Sequence, residues 1–498
     1  MDNADQAVAA DREARDEGHE PPKVAFRYAE ERGGASAAEP ATMNAIAAHV
    51  ATTPFEAIPQ EAVAKAKLRV LDLFGCALGG IPGEGNEALV RCLQASGSAP
   101  RASVIGFGTK LSAGDAALAN AVISRSYDFE VMTVMVDGVA IGSHNSPTTC
   151  MTALAVAEER GLSGRDFLGA LIVGDDLAAR MLAASGLDLG AGWDASSIFT
   201  TIPAAAIAAR LMGLEALQAR DAMGHAVDMT CGTTQSVWDG IAAWKLVGGH
   251  AARSGIFAAH LASTGAWPAI GDALGAGYGF FGQFTTGCIN PDILTKGLGQ
   301  AFYGEEYFKP YPSCAATQAP MECALEMCGG EKFAPEQVIQ VTVRMPEFIL
   351  GTALALPFAP ARDDHTRANF SLRYQIANAI LRGRTRQEHY SPEAIHSPQI
   401  AALLEKLVLA PSNGGGMPIE AEMTLADGRH LAASHSGVTN RHPSRSPSTE
   451  ADVLAKFHEQ VEFSGAVSRA RADEIAERVL AIESEDAIGD LVQLMAGA

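Results

Sequence analysis

Basic residues are in short supply. Lys and Arg total 37 against 58 Asp and Glu, a formal net charge of −21 over 498 residues. Nucleic acid binding needs a basic face against phosphate, and so does adhesion to an anionic membrane surface, so neither partner is expected. A few cations converging on one point still suffice for a small anion. The charge therefore excludes partners, not substrates.

Cysteine is also sparse. The eight present form no CxxC pair, and Cys323 and Cys328 are five apart. That excludes a disulfide framework and a zinc pattern, and no spacing proposes three thiolates for an iron–sulfur cluster. Free thiols predict a reducing, cytoplasmic setting with no metal and no cofactor. No apolar run reaches the length of a membrane span. HExxH, GxSxG and dinucleotide fingerprints are missing, and Gly414-Gly415-Gly416 lacks the Lys-Ser/Thr sequel of a phosphate loop.

What remains is 48% hydrophobic, only 6% aromatic and rich in Ala and Gly. Small side chains let helix axes approach closely, and the length exceeds one compact core. Residues 1–40 are charged and Ala/Gly/Pro-rich, and read as a disordered or loosely attached extension. Helical patterning then runs from Ile58-Pro59-Gln60-Glu61 to a stop at Gly79-Gly80, and over 112–128, 147–160, 164–184, 202–211, 214–225 and 246–264. No strand alternation stands out before about residue 300. After Gly299 the texture changes. Residues 338–345 and 419–425 alternate as strands, the second leading into a hairpin turn at Asp427-Gly428, while 369–382 and 397–407 read as helices. Residues 450–489 return to helical periodicity. The fold class is mainly α: a large all-helical domain from both ends of the chain (41–303 and 441–498), with a smaller α+β lid domain inserted at 304–440.

Three segments can carry chemistry. Ser126-Tyr127-Asp128-Phe129-Glu130 ends one helix, and Gly142-Ser143-His144-Asn145-Ser146-Pro147 opens the next. Lys309-Pro310-Tyr311-Pro312-Ser313-Cys314 puts a cation on a proline-stiffened turn. Proton abstraction beside a carboxylate needs a base, a cationic clamp and shelter from water, and Asp, His and Lys can supply them. The plain alternative is that Asp128 and His144 merely cap helix ends and Lys309 is a solvated loop residue.

In order and separation these segments resemble the MmgE/PrpD family, which includes 2-methylcitrate dehydratases, cis-aconitate decarboxylases and iminodisuccinate epimerases. The resemblance covers about residues 41–490. It implies a homodimer and a cleft site with Asp128, His144, Lys245 and Lys309 as catalytic residues and a small carboxylic acid as substrate. Asp194, Cys314, Gln318 and Arg373 are the implied substrate-binding positions. A cation beside Cys314 would lower its pKa and favour thiolate, though simple packing is the plain reading.

Departures from the family are specific. Glu130 stands where a second Asp is usual, Asn145 where Pro is usual, and the 131–142 loop is longer and more apolar. Asp194 and Gln318 replace histidines. Cys314 occupies a position held by Cys in dehydratase-like members and by His in decarboxylases, and the decarboxylase tyrosine is absent, with Leu350 nearest. The expected activity is therefore cofactor-independent dehydration of a hydroxy acid. Epimerisation, decarboxylation of a small di- or tricarboxylic acid, or a non-catalytic paralogue are the alternatives.

Overall fold

A computed structural model describes residues 40–275, 277–359, 364–412 and 418–497. The expected N-terminal extension, but for Pro40, and the triple-glycine loop lie outside them.

Fourteen helices of seven residues or more are found among the described residues: α1 Ala41–Thr52, α2 Gln60–Gly80, α3 Asn86–Ala95, α4 Ala113–Ser124, α5 Ser146–Arg160, α6 Gly164–Ala184 and α7 Thr201–Leu211, followed by α8 Ala216–Asp228, α9 Leu246–Ser263, α10 Ala315–Cys328, α11 Leu372–Arg382, α12 Pro398–Leu404, α13 Glu450–Ser464 and α14 Arg469–Leu480. Local signals set many of the ends. Ser163 caps α6 in a reciprocal box with Asp166, and Thr449 does the same with Asp452 for α13. Small residues set the packing. α9 lies against both α4 and α7, and α13 lies along α2. A methyl group on Gly255 of α9 would sit 2.5 Å from the Ala204 side chain, so that crossing depends on the missing Cβ.

Apolar side chains gather in two clusters. The larger runs from Met43 to Phe308 and resumes from Val453 to Met495. The smaller spans Ala319–Leu425 and draws in Cys76, Tyr127 and Phe129. The mainly α class holds, with small sheets added. Strands β6 Val338–Met345, β7 Leu407–Pro411, β8 Ile419–Leu425 and β9 His430–His435 form one sheet in the order β7-β6-β8-β9, with only the β6–β7 pair parallel. Its alternate residues Val341, Val343, Ala421 and Met423 are buried, and α10 packs on β8 and β9.

Several expectations need correction. Strands do occur before residue 300. β1 Ala102–Val104 pairs with β2 Thr109–Leu111, and β3 Met132–Val136 turns into β4 Val139–Ile141. The second pair extends to β5 Glu305–Tyr307, in the order β4-β3-β5. Val131–Val136 is almost wholly buried, so its apolar run shows no polar alternation to read. The helix expected over 112–128 ends at Ser124, and residues 365–369 form a separate short turn before α11. Helix 397–407 stops at Leu404 because Leu407 opens β7.

The helix stop expected at Gly79-Gly80 holds, since α2 ends at Gly80, but the two glycines are the last residues of the helix itself and serve packing. A Cβ on Gly80 would fall 2.0 Å from the Ile123 carbonyl oxygen, and one on Gly79 2.9 Å from both Gln387 and Gln460. Glycine here serves close approach, not chain reversal. Gly80→Ala must separate α2 from α4. The expected outcome is a loss of about 1–3 kcal/mol or more in urea unfolding, against a surface Ala substitution as control.

Candidate active site

Asp128 ends a turn after α4 in the left-handed region, at φ 47°. Asp tolerates that conformation better than most side chains, because its short polar group bonds locally. The turn is locked from outside. Lys309 Nζ donates to both the carbonyl and Oδ1 of Asp128, each at 2.7 Å, and Lys309 is wholly buried. Lys456 of α13 donates to the Phe129 carbonyl at 2.5 Å, lies 2.7 Å from Asp72 Oδ1 and covers the Phe129 ring. Asp72 Oδ2 in turn accepts the Val131 amide. Residues 128–131 are thus held by α2, α13 and the Lys309 turn together.

Glu130, fully buried, accepts from His144 Nδ1 at 2.9 Å, and Asp128 Oδ1 lies 4.0 Å from the same nitrogen. The second clamp of the site is Arg125, which sequence reasoning missed although it directly precedes the Ser126-Tyr127-Asp128 motif. Its guanidinium lies 3.3 Å from Glu130, 4.0 Å from Asp128 and 4.7 Å over the Trp244 ring, and donates to Ser196 Oγ at 2.7 Å. Burial works against its charge, but Glu130, Asp194, Asp128 and Glu305 outweigh burial and strengthen it. Burial alone would raise the Glu130 carboxyl. Lys309, Arg125 and the His144 bond reverse that and hold it far below the usual carboxylate range.

A further residue missed from sequence, Glu305 of β5, places the His144 loop. Its buried carboxylate accepts Ser143 Oγ at 2.6 Å and the amides of Asn145 at 2.7 Å and Ser146 at 2.9 Å. This carboxylate thereby caps α5, and β5 is tied to β3, so Glu130 and His144 at the two ends of the hairpin are fixed by one small sheet. His144 keeps 25% side-chain exposure while Glu130 and Asp128 have almost none. An ionised Glu130 requires Nδ1 to carry the proton, which leaves the Nε2 lone pair as the free basic atom.

The ligating atoms of Asp128, Glu130 and His144 lie within 4.8 Å of one another, a spacing that could hold a metal ion. The charges argue against one. Lys309 and Arg125 already neutralise both carboxylates, and a divalent ion would sit against two buried cations.

Other expected residues are placed differently. Lys245 does not reach the Asp128 carboxylate. Its ammonium points at the Glu84 carbonyl (2.6 Å), Asn86 Oδ1 (3.0 Å) and Ser126 Oγ (3.5 Å), which engages all three of its protons. Asp194 caps a one-turn helix, Ala195–Ile198, accepting from the Ser196 amide and hydroxyl, and so stands one hydroxyl away from Arg125. Gln318 is fully engaged inside the protein. It accepts from Tyr307 Oη at 2.6 Å and donates to the Tyr311 and Ser313 carbonyls. Arg373 stands apart, donating to the Leu407 carbonyl beside a cavity lined by Pro357, Phe358, Ile395 and His396.

Cys314 precedes α10, close enough to feel Asp128 and Lys309, and the thiolate alternative is not supported. Burial and the Asp128 charge push its thiol up to about 12, and Lys309 offsets this only in part. A cavity of about 370 Å³ abuts Phe129 and Lys309, yet its arginines are paired, Arg441 with Asp452 at 2.6 Å and Arg384 with Glu459 at 2.9 Å. It offers no unpaired guanidinium to an anion.

The chain matches the MmgE/PrpD N-terminal domain over residues 44–290 and the MmgE/PrpD C-terminal domain over residues 311–482. It is 24% identical over 470 residues to the cis-aconitate decarboxylase-like protein oryM of Aspergillus oryzae, covering 88% of this chain and 94% of that protein. It is 26% identical over 287 residues to a cis-aconitate decarboxylase of Aspergillus terreus, covering 55% of this chain and 57% of that protein.

Lys245 yields a pH test. Burial lowers its pKa from 10.5 to about 8, with Glu84 opposing. Between those values the unfolded chain holds a proton that the folded chain has released. Stability must therefore rise with pH from 8 towards 10.5, by about 3 kcal/mol at most. Urea unfolding across that window should show the rise, and Lys245→Met should flatten it.

Proposed function

The chain belongs to the MmgE/PrpD family, and from that premise we propose that it is a cofactor-independent lyase that dehydrates a small hydroxy-carboxylic acid. The carrying observation is the His144–Glu130 pair at 2.9 Å, buried at Glu130 and partly open at His144. Nε2 removes a proton from the carbon α to the carboxylate. The C–O bond at the adjacent carbon then breaks, and the same imidazolium returns its proton to the departing hydroxide. Water and an unsaturated acid result, and His144 ends neutral. Arg125 and Lys309 keep Glu130 and Asp128 ionised and supply positive field near the enediolate. Lys245 acts at one remove, through Ser126 and the turn that carries Asp128.

Decarboxylation is the second reading, favoured by the names of the curated relatives. Against it stand Asp194, whose negative charge would repel a polycarboxylate, and the locked amide of Gln318. A homodimer also belongs to this reading, supported by exposed Leu217, Phe257 and Trp267. Light scattering at twice the chain mass is its expected result.

The chemical test is proton NMR in D₂O with a panel of hydroxy acids and unsaturated acids. Loss of water from a hydroxy acid, with deuterium entering the α carbon when the unsaturated acid is hydrated in reverse, is the expected outcome. Release of carbon dioxide would replace dehydration with decarboxylation, and uptake without loss would make the enzyme an epimerase. His144→Ala should lower turnover by about 10²–10⁴. Glu130→Gln, which no longer fixes the Nδ1–H tautomer, should cost about 10² or more in kcat with little change in KM. Circular dichroism would verify that both variants fold.

A further inference from the structure

Among the described residues, Arg125, Arg220, Arg373 and Arg384 each have a buried Nε with no hydrogen-bond partner. Three of them are answered by a carboxylate: Arg125 by Glu130 at 3.3 Å, Arg220 by Asp221 at 3.9 Å and Arg384 by Glu459 at 2.9 Å. Arg373 has no carboxylate partner among the described residues. It makes one hydrogen bond, from Nη1 to the Leu407 carbonyl at 2.8 Å. Burial works against its charge, and no acid counters burial. The backbone position is unfavourable too. Arg373 lies in the first turn of α11, where the helix dipole presents its positive end. An unpaired, half-buried cation in that position calls for an anion from outside.

The same side chain lines a cavity of about 540 Å³, within the range of about 300–1,000 Å³ usual for small-molecule sites. Phe358, Ile395 and Leu404 give it apolar walls. Ile395 is buried, and the other two are half-buried against the smaller core cluster. Beside Arg373, the polar side chains that line it are His396 and Glu405, both exposed. None of Asp128, Glu130, His144 and Lys309 is among the lining residues, so this cavity is separate from the candidate active site.

The chemistry of the walls narrows the ligand. With Nη1 engaged by Leu407, the Nε–Nη2 edge of the guanidinium remains, and its two parallel N–H groups match the two oxygens of a carboxylate. Glu405 disfavours a second negative charge. The apolar walls favour a hydrocarbon body, by up to about fourfold in affinity for each methylene buried. We propose that this cavity is a ligand site for a monocarboxylate with an aliphatic or aromatic body. The carboxylate accepts from Arg373 Nε and Nη2, and the body lies against Phe358, Ile395 and Leu404. No bond is made or broken, and the site stands whichever reaction the His144–Glu130 pair performs.

The test is calorimetric titration of the full chain with hexanoate, acetate, hexan-1-ol and inorganic phosphate. Hexanoate should bind at least about tenfold more tightly than each of the others. Acetate or phosphate bound as tightly would overturn the apolar body, and hexan-1-ol bound as tightly would overturn the carboxylate. No binding of hexanoate would overturn the site itself. Arg373→Met should weaken hexanoate by at least about tenfold, and Arg373→Lys, which keeps the charge but lacks the fork, by less. His144→Ala should leave hexanoate binding unchanged. Binding kept in Arg373→Met but lost in His144→Ala would place the acid at the candidate active site and overturn the proposal. Circular dichroism would verify that the variants fold, and the comparison of the four compounds needs no variant.

Discussion

One buried ammonium organises this protein. Lys309 has no exposed surface and spends its hydrogen bonds on the carbonyl and carboxylate of a residue in the left-handed region. Burying a lysine is costly unless an anion meets it, and Asp128 meets it twice. The same contact fixes Asp128, joins the turn after β5 to the turn after α4, and contributes to keeping Glu130 ionised. Removing either partner would leave a bare charge in the interior, so neither side chain can be exchanged alone without disturbing the other. The candidate site and the architecture around it are therefore supported by one interaction.

Around it the site is built from pairs whose members come from distant parts of the chain. Glu305 reaches the first turn of α5, and Lys456 reaches Asp72 and the Phe129 carbonyl. Arg125 ties Glu130 to Ser196, and through it to Asp194. Each carboxylate has an assigned cation or backbone amide, which leaves His144 as the partly exposed member with a basic atom to spare.

Much of this was legible beforehand because it is local. The helices at 164–184 and 246–263 and the strands at 338–345 and 419–425 follow from apolar period and β-branched runs, and the order of the Asp128, His144 and Lys309 segments identified the family. Other features were hidden because they are long-range. Arg125 and Glu305 look like ordinary charged residues until folding sets them beside Glu130 and α5. The β3–β4 hairpin shows no alternation because both of its faces near Val131–Val136 are covered. Gly79 and Gly80 do mark the end of α2, but glycine in sequence cannot show that they also serve a close helix crossing. Gln318 was placed by analogy, and its hydrogen bonds are spent elsewhere, while Arg373 stands apart beside Leu407.

The reach of Lys456 to the Phe129 carbonyl and Asp72 bears on how the protein is made. A ribosome has delivered some nine-tenths of the chain before that clamp exists, while residues 128–131 have waited since the first third. During synthesis the loop can hold no finished geometry, since β5, the Lys309 turn and α13 all follow it. The nascent chain can fold α4 to α9 early through neighbouring contacts, whereas the candidate site is among the last parts to set. An unfinished product released early would carry His144 and Glu130 in its sequence and still lack the frame that makes them a pair.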